Sequence, residues 1–174
     1  LSAFLIGLPA IAIGIYFNQT APNAVITRHV SALAAMIFAA LHIHQAGGLI
    51  EVHFEIFILM ATLIIYQDWR VFVTAITVVA VHHLAFYFMQ VNDVGVYIFD
   101  ANRLAFTTVV IHAVYAITEA VVAGYIAKSM AAESKAGVEL TNAASSITAN
   151  NEIDLSIQTD ARDNQTLSSF NELL

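Results

Sequence analysis

The chain has 174 residues, of which 59% are hydrophobic and only 11% are charged, whereas a soluble domain carries roughly a quarter charged residues. This composition excludes an ordinary soluble domain and indicates an integral membrane protein. The net charge of −7 excludes a nucleic-acid partner, because no basic patch could meet phosphates, and the absence of cysteine excludes disulfides and thiolate metal sites.

Five apolar segments approach the length of about 20 residues that a membrane-spanning helix needs. They cover residues 1–17, 24–45, 49–66, 71–90 and 104–127. We therefore predict an all-α fold, a polytopic transmembrane helical bundle of about five spans that occupies residues 1–127. Because the chain begins inside an apolar run with no basic region or cleavage site before it, we also expect a further segment upstream.

The positive charges suggest an orientation for these segments. Arg28, Arg70 and Lys128 stand at segment ends that alternate onto one side, and Arg103 stands on the other. The positive-inside rule then places the connections 18–28 and 67–70 and the C-terminus in the cytoplasm of a bacterial inner membrane. The turn 45–49 and the loop 91–103 face outward, and residues 94–99 of that loop are expected in the membrane interface.

Residues 128–174 form a polar and acidic tail with three of the six cations and seven of the thirteen acids. We predict that the fifth helix continues into it and that Asn150 and Asn151 end this helix. A last helix is predicted from Asp163 or Asn164. It carries one apolar stripe of Leu167, Phe170, Leu173 and Leu174. The tail is too poor in apolar residues for a core of its own, so we expect a coiled-coil-like structure that needs a partner chain.

All seven histidines lie in the apolar part of the chain, where ionisable groups are costly and usually functional. At 1.5 Å per residue, four different helices bring an imidazole into the outer half of the membrane. Imidazoles that converge with a carboxylate are ligands for zinc, copper or iron. The predicted metal ligands are His44, Glu51, His53, His83 and His112.

Further polar residues accompany this set. His82 is about 100° from His83 on its helix, so we expect one of the two to be a ligand and the other to support the site. Glu55 shares a helical face with Glu51. His29 and Glu119 lie in the inner half of the membrane and are predicted to form a second polar pair, unless burial keeps Glu119 protonated.

Several motifs resemble a known family. They are Thr27-Arg28-His29-Val30, the run from Leu41 to Phe54 (LHIHQAGGLIEVHF), Tyr66-Gln67-Asp68-Trp69-Arg70 and His82-His83-Leu84. Together they resemble a multi-helix transmembrane sensor module of bacterial signalling proteins, which precedes histidine kinase, cyclase or methyl-accepting chemotaxis outputs. The chain departs from the family pattern at Glu55, where a histidine is common, and at Leu49, where a basic residue is common.

The tail carries a second resemblance. Asp154-Leu155-Ser156 and the stretch Phe170-Asn171-Glu172-Leu173-Leu174 are similar to the HAMP-like linker that leads into the coiled-coil signalling domain of chemotaxis receptors. The usual acidic-glycine pair is missing. The resemblance implies that residues 128–174 lead toward a truncated output domain, that the protein is a homodimer and that its partners are cytoplasmic signalling proteins.

These observations favour a sensory input module over an enzyme, with copper as the preferred metal and zinc as an alternative. Two other functions stay open. Two histidines could be axial ligands of a haem in a redox or energy sensor. Alternatively, Glu119 and the histidines could form the proton relay of a membrane enzyme or ion carrier.

Overall fold

The computed structural model describes residues 3–147, 157–161 and 164–173, and within these ranges the chain is all-helical, as predicted. A π-helical turn, Ala3–Gly7, precedes the first of six α-helices. These are α1 (Leu8–Thr20), α2 (Val25–Gln45), α3 (Phe54–Thr62), α4 (Arg70–Val91), α5 (Phe106–Ile147) and α6 (Gln165–Leu173). Two 3-10 helices flank α3, Ile50–His53 and Leu63–Tyr66, and a third, Ala101–Arg103, precedes α5.

Among the described residues, three helices, α2, α4 and α5, are long and apolar enough to cross a membrane, which is consistent with a multi-pass membrane protein. The prediction of five such spans is therefore wrong in number. The first apolar segment is a shorter helix, Phe4–Thr20. The third is confined between Gly48 and Gln67, whose positive φ angles of 77° and 52° interrupt helical backbone. These two residues leave too little chain between them for a long helix.

The long helices α2 and α4 run in the same direction. At one end of the bundle Arg28, near the start of α2, lies 3.5 Å from Asp68, which precedes α4. At the other end the imidazole of His44, near the end of α2, accepts a hydrogen bond from the backbone N–H of Tyr97, beyond the end of α4. We call these the Asp68 end and the Gly48 end, after the residues that organise them.

Because α2 and α4 are parallel, the short third segment has to return the chain from the Gly48 end to the Asp68 end. Its two 3-10 helices make this reach longer. A 3-10 helix rises about 2.0 Å per residue and an α-helix about 1.5 Å, so residues 50–66 extend over roughly 30 Å. The segment therefore passes along the bundle although α3 itself has only nine residues.

The loop between α4 and α5 folds only partly into the bundle: in the stretch 94–99, predicted in the membrane interface, Val94 and Tyr97 are exposed. Ile98 and Phe99 are fully buried and belong to the main apolar core. Gln90, at the end of α4, holds them: its side-chain amide donates to the Phe99 carbonyl at 2.7 Å and accepts from the N–H groups of Ile98 and Phe99 at 2.7 and 3.2 Å. Because these backbone groups are hydrogen-bonded, they can be buried in an apolar environment without the cost of unpaired polar groups.

Gly48 makes the closest approach to this loop. A Cβ atom at position 48 would lie 2.4–2.7 Å from backbone atoms of Phe99, a separation that real Cβ atoms do not show. The Gly48 carbonyl also accepts a hydrogen bond of 3.1 Å from the Asp100 N–H. Only glycine combines this contact with a φ of +77° at low energetic cost.

The Asp68 end is organised by charges. The buried carboxylate of Asp68 accepts from the Arg70 side chain at 2.9 and 2.8 Å and from the Arg70 N–H at 3.0 Å. Arg28 is the second cation beside it. Hydrogen bonding to Arg70, aided by both positive charges, holds the pKa of Asp68 below its ordinary value.

The chain divides into two compact units, Leu1–Ala127 and Lys128–Leu174. As predicted, helix α5 continues into the second unit, where it ends at Ile147. As also predicted, a last helix follows Asn164, whose side-chain oxygen accepts from the N–H groups of Thr166 and Leu167 and so caps α6. The predicted break at Asn150 and Asn151 and the linker motif at residues 154–156 lie outside the described residues.

Candidate functional site

Three imidazoles and one phenyl ring meet inside the Gly48 end. His53 is the last residue of the first 3-10 helix, His83 lies on α4, His112 lies on α5 and Phe99 comes from the buried loop. Each ring thus arrives on a different part of the backbone. We call these four residues the four-ring cluster.

The rings are evenly spaced. The imidazole centroids of His53, His83 and His112 are separated by 5.0, 5.5 and 5.9 Å. The phenyl centroid of Phe99 lies 5.4, 6.1 and 5.0 Å from these three imidazoles, in the same order. Since all six separations are similar, the rings surround one central point roughly as the four corners of a tetrahedron do.

The three imidazoles are held in the same tautomer by helix geometry. Each Nδ1 faces a backbone carbonyl one helical turn earlier: Leu49 at 3.2 Å, Val79 at 3.0 Å and Thr108 at 2.8 Å. A carbonyl oxygen can only accept, so Nδ1 carries the proton and donates it. The lone pair of each neutral ring is then on Nε2, which is the usual arrangement for a histidine that binds a metal.

Two of these Nε2 atoms lack any partner. The Nε2 atoms of His53 and His83 are buried and make no hydrogen bond, and the same is true of His82 beside them. The side chains are 2%, 4% and 9% exposed, respectively. A buried acceptor without a partner typically costs about 1–3 kcal/mol, and such groups in native structures call for an explanation.

His82 extends the aromatic contacts toward α2. Its ring lies 5.3 Å from that of His83 and 4.3 Å from that of Phe86, and Phe86 in turn lies 6.0 Å from His44. His82, Phe86 and His44 border an apolar groove of about 610 Å³ between α2 and α4. His82 is thus next to the four-ring cluster but is not one of its members.

The structure separates the predicted ligands into two groups. His53, His83 and His112 are brought together, while His44 is not among them. The His44 ring stacks on Tyr97 at 6.0 Å, and its Nδ1 accepts from the Tyr97 N–H. Glu51 is exposed. The prediction that His44 and Glu51 converge on the same centre is therefore wrong, because His44 is held against Tyr97 and Glu51 is exposed.

The predicted supporting residues have other partners. Glu55 pairs with His42, whose Nδ1 lies 2.8–2.9 Å from both carboxylate oxygens. His29 bonds the hydroxyl of Thr74 on α4 at 2.7 Å. The predicted pair between His29 and Glu119 is thus replaced by a contact between α2 and α4, since Thr74 lies within reach of His29 at the same level of the bundle.

The four-ring cluster can be compared with a metal site. Imidazoles that bind one ion through nitrogens about 2.0–2.1 Å away have ring centroids roughly 5.1–5.5 Å apart. The three observed separations are close to this range. The donor atoms themselves are not gathered: within the described ranges, no group of three or more His, Asp or Glu side chains is arranged to hold a metal ion. The cluster therefore has the ring spacing of a three-histidine site without the final orientation of its nitrogens.

Phe99 is the member of the cluster that the sequence analysis missed. It lies in a loop whose apolar residues suggest an interfacial position, and nothing in its neighbours indicates burial against histidines. The one available signal is Gln90, an amide at the end of a stretch, residues 71–90, that contains no Asp, Glu, Lys or Arg. Such an amide in an apolar setting indicates that backbone groups from elsewhere need a partner there.

Comparison of the chain with protein-family models, with curated proteins and with solved structures finds no match in any of the three. The geometry of the site and the chemistry of its residues are thus the basis for a functional assignment.

Proposed function

We propose that this chain is the transmembrane input module of a bacterial chemoreceptor-like signal transducer, and that it binds copper through His53, His83 and His112. One observation carries the proposal. Three imidazoles from three separate backbone segments meet with Nδ1 bonded to backbone, and two of their Nε2 atoms are buried without partners. A bound ion would supply the partner that these nitrogens lack.

The donor set favours copper among the common metals. The cluster offers imidazole nitrogen alone, and the chain contains no cysteine. Imidazole suits copper, zinc, iron and nickel, and copper has the highest affinity among the divalent first-row metals at such sites. The ion would supply positive charge and Lewis acidity at the centre of the cluster, while the protein orients the imidazoles through their Nδ1 hydrogen bonds.

Binding at this place would couple the third segment, α4 and α5. Each contributes one imidazole, so an ion that holds all three favours one arrangement of these segments over others. Helix α5 carries His112 and continues to Ile147 in the second unit. The same helix therefore contains a ligand and leads to the C-terminal region, where the resemblance to chemoreceptors implies an output domain and dimerisation.

The proposal includes an orientation in the membrane. Arg28 and Arg70 cluster at the Asp68 end, whereas Arg103 follows the loop at the Gly48 end. The positive-inside rule favours the Asp68 end in the cytoplasm and the Gly48 end outside. In this orientation the four-ring cluster faces the outer half of the membrane, where it could receive copper from the periplasm.

The test is the metal content of the purified chain after exposure to copper and removal of unbound ions. We expect about one copper per chain. His53→Ala, His83→Ala and His112→Ala should each lower the copper affinity by at least about 10–100-fold, which is the loss typical when a residue that merely supports a metal ligand is replaced. His42→Ala and His44→Ala are matched controls, because both rings lie outside the four-ring cluster. Equal copper content in all five variants, or no copper in the unmodified chain, would refute the proposal.

A haem-binding redox sensor is the second candidate, and one observation favours it: His44 and His82 both border the apolar groove between α2 and α4. Phe86 lies against both imidazoles, however, so a macrocycle between them would have to displace this ring. A visible spectrum of the purified chain distinguishes the two candidates. Bound haem absorbs strongly in the visible range, and a site of three imidazoles and one copper does not.

A further inference from the structure

We propose that Phe99 occupies the fourth coordination position of the three-histidine site, and that the site is thereby selective for monovalent copper over Cu(II) and Zn(II). This inference rests on the proposed function and names the oxidation state that the module recognises. It concerns a residue that contributes no donor atom. Its role would be to close the site.

The geometry of the cluster is the first argument. In a tetrahedral site, three ligands leave one open corner, and a catalytic or exchangeable zinc site keeps water there. In the four-ring cluster that corner is taken by the Phe99 ring, at 5.0–6.1 Å from each imidazole. Once the three imidazoles turn their Nε2 atoms toward the centre, an ion there would have three nitrogens and the face or edge of a phenyl ring around it.

Phe99 is also fixed in this position. The residue is fully buried. Its backbone N–H and carbonyl are both bonded to the Gln90 side chain, and Gly48 packs directly against its backbone. A water ligand could enter the fourth position only if this whole connection moved. The ring is thus a fixed wall and not a mobile side chain.

Charge is the third argument. The cluster contains imidazoles and a phenyl ring. Of the two glutamates in the third segment, Glu55 pairs with His42 and Glu51 is exposed. Burial of an uncompensated charge costs free energy, and this cost increases with the size of the charge. A monovalent ion is therefore far easier to accommodate here than a divalent one. An aromatic ring within about 6 Å also attracts a cation through its π-electrons.

Coordination chemistry points in the same direction. Cu(II) favours tetragonal sites with four or more nitrogen or oxygen ligands, and Zn(II) is almost always four-coordinate in proteins. Three nitrogens with no fourth donor satisfy neither ion. A d¹⁰ monovalent copper ion has no such geometric demand and is stable with three ligands. The closed fourth corner therefore favours Cu(I) over Cu(II) and Zn(II) through the number of ligands that each ion needs. The lack of a carboxylate favours Cu(I) through its lower charge.

The experiment is a competition assay on the purified chain in detergent, with Cu(I) kept reduced under anaerobic conditions and with Cu(II) or Zn(II) in separate titrations. We expect Cu(I) to bind at least about 10–100-fold more tightly than Zn(II). Phe99→Ala should open the fourth position to water and raise the affinity for Zn(II) relative to Cu(I) by a similar factor. Phe99→Leu, which keeps an apolar wall, should preserve the selectivity, and Phe88→Ala controls for loss of an exposed aromatic ring.

X-ray absorption of the Cu(I)-loaded unmodified chain gives a second measurement that does not depend on the folding of any variant. A coordination number of three, made up of light-atom (nitrogen or oxygen) neighbours, is expected. A fourth nitrogen or oxygen ligand, or equal affinity for Zn(II) and Cu(I), would overturn the role of Phe99 while leaving a metal-binding input module intact. No binding of any of the three ions would instead remove the proposed function itself.

Discussion

The two ends of the bundle solve the problem of buried polar groups in opposite ways. At the Asp68 end the buried carboxylate is bonded to Arg70 and lies beside Arg28, so its hydrogen-bonding capacity is used. At the Gly48 end the Nε2 atoms of His53 and His83 are buried without a partner. Satisfied polar groups help to hold a fold together, whereas a buried group without a partner calls for an explanation, such as an ordered water, strain or a bound ligand.

The two ends also join different parts of the chain. The Asp68 end joins the start of α2 to the start of α4 by charge. The Gly48 end joins three helical segments and a loop around the four-ring cluster. Substitutions at the Asp68 end should therefore change stability without changing metal binding, whereas substitutions of the three cluster histidines should change metal binding.

The largest effect on stability is expected from Gly48→Ala at the border of the cluster. An alanine in left-handed backbone costs about 1–2 kcal/mol. Overpacking against the Phe99 backbone should add about 1–3 kcal/mol to the loss in free energy of unfolding. Gly47→Ala is the matched control, because Gly47 also has a positive φ, +66°, but has open space around its Cβ position.

Thermal unfolding in detergent compares the two glycine variants directly. Equal losses for Gly47→Ala and Gly48→Ala would show that the close approach of Gly48 to the loop has no energetic weight. The contact between Gly48 and Phe99 would then not be what keeps the loop in place.

The next largest effect is expected from Asp68→Asn. A hydrogen bond to a charged group typically contributes about 1.5–3 kcal/mol, and the amide presents an N–H₂ group where the arginines need an acceptor. We expect Asp68→Asn to lower the free energy of unfolding by an amount near the lower end of this range, because the Arg70 side chain is 54% exposed and well solvated. Asp93→Asn, in an exposed turn, should be nearly neutral.

Acid unfolding tests the same residue through its pKa. The pKa of folded Asp68 is lower than that of the unfolded chain, so its contribution is complete above the ordinary carboxyl pKa of about 3.9 and is lost as the pH falls through the lower folded value. The difference in stability between the unmodified chain and Asp68→Asn should accordingly shrink below about pH 4. A difference that stays constant down to pH 2 would contradict the role of the carboxylate charge.

A smaller effect is expected from Gln90→Leu, which removes the three hydrogen bonds to the loop. Backbone groups of Ile98 and Phe99 would be left buried and unpaired, at a cost of about 1–3 kcal/mol, partly offset by the apolar replacement. Asn92→Ala is the control, since its side chain bonds only the Phe88 carbonyl of its own helix at an exposed position. Hydrogen exchange at the Ile98 and Phe99 amides should increase in Gln90→Leu and stay unchanged in Asn92→Ala.

Several features of this protein follow from local sequence. Long apolar runs predict α2, α4 and the first part of α5, because helix is the structure that satisfies backbone polar groups without water. The capping position of Asn164 and the apolar spacing after it predict α6. The proximity of His53, His83 and His112 also follows from sequence, since segment length and direction give the depth of each residue at 1.5 Å per position.

What only the tertiary structure decides is rotation about the helix axes and the path of the loops. His44 and Glu51 have the right depth for the site but face other neighbours, and helix depth carries no information about rotation between separate segments. The burial of Phe99 depends on Gly48 and Gln90, which are remote from it along the chain and reach it only in the folded state. Sequence periodicity describes one segment at a time, whereas a site assembled from four segments is determined by how they pack.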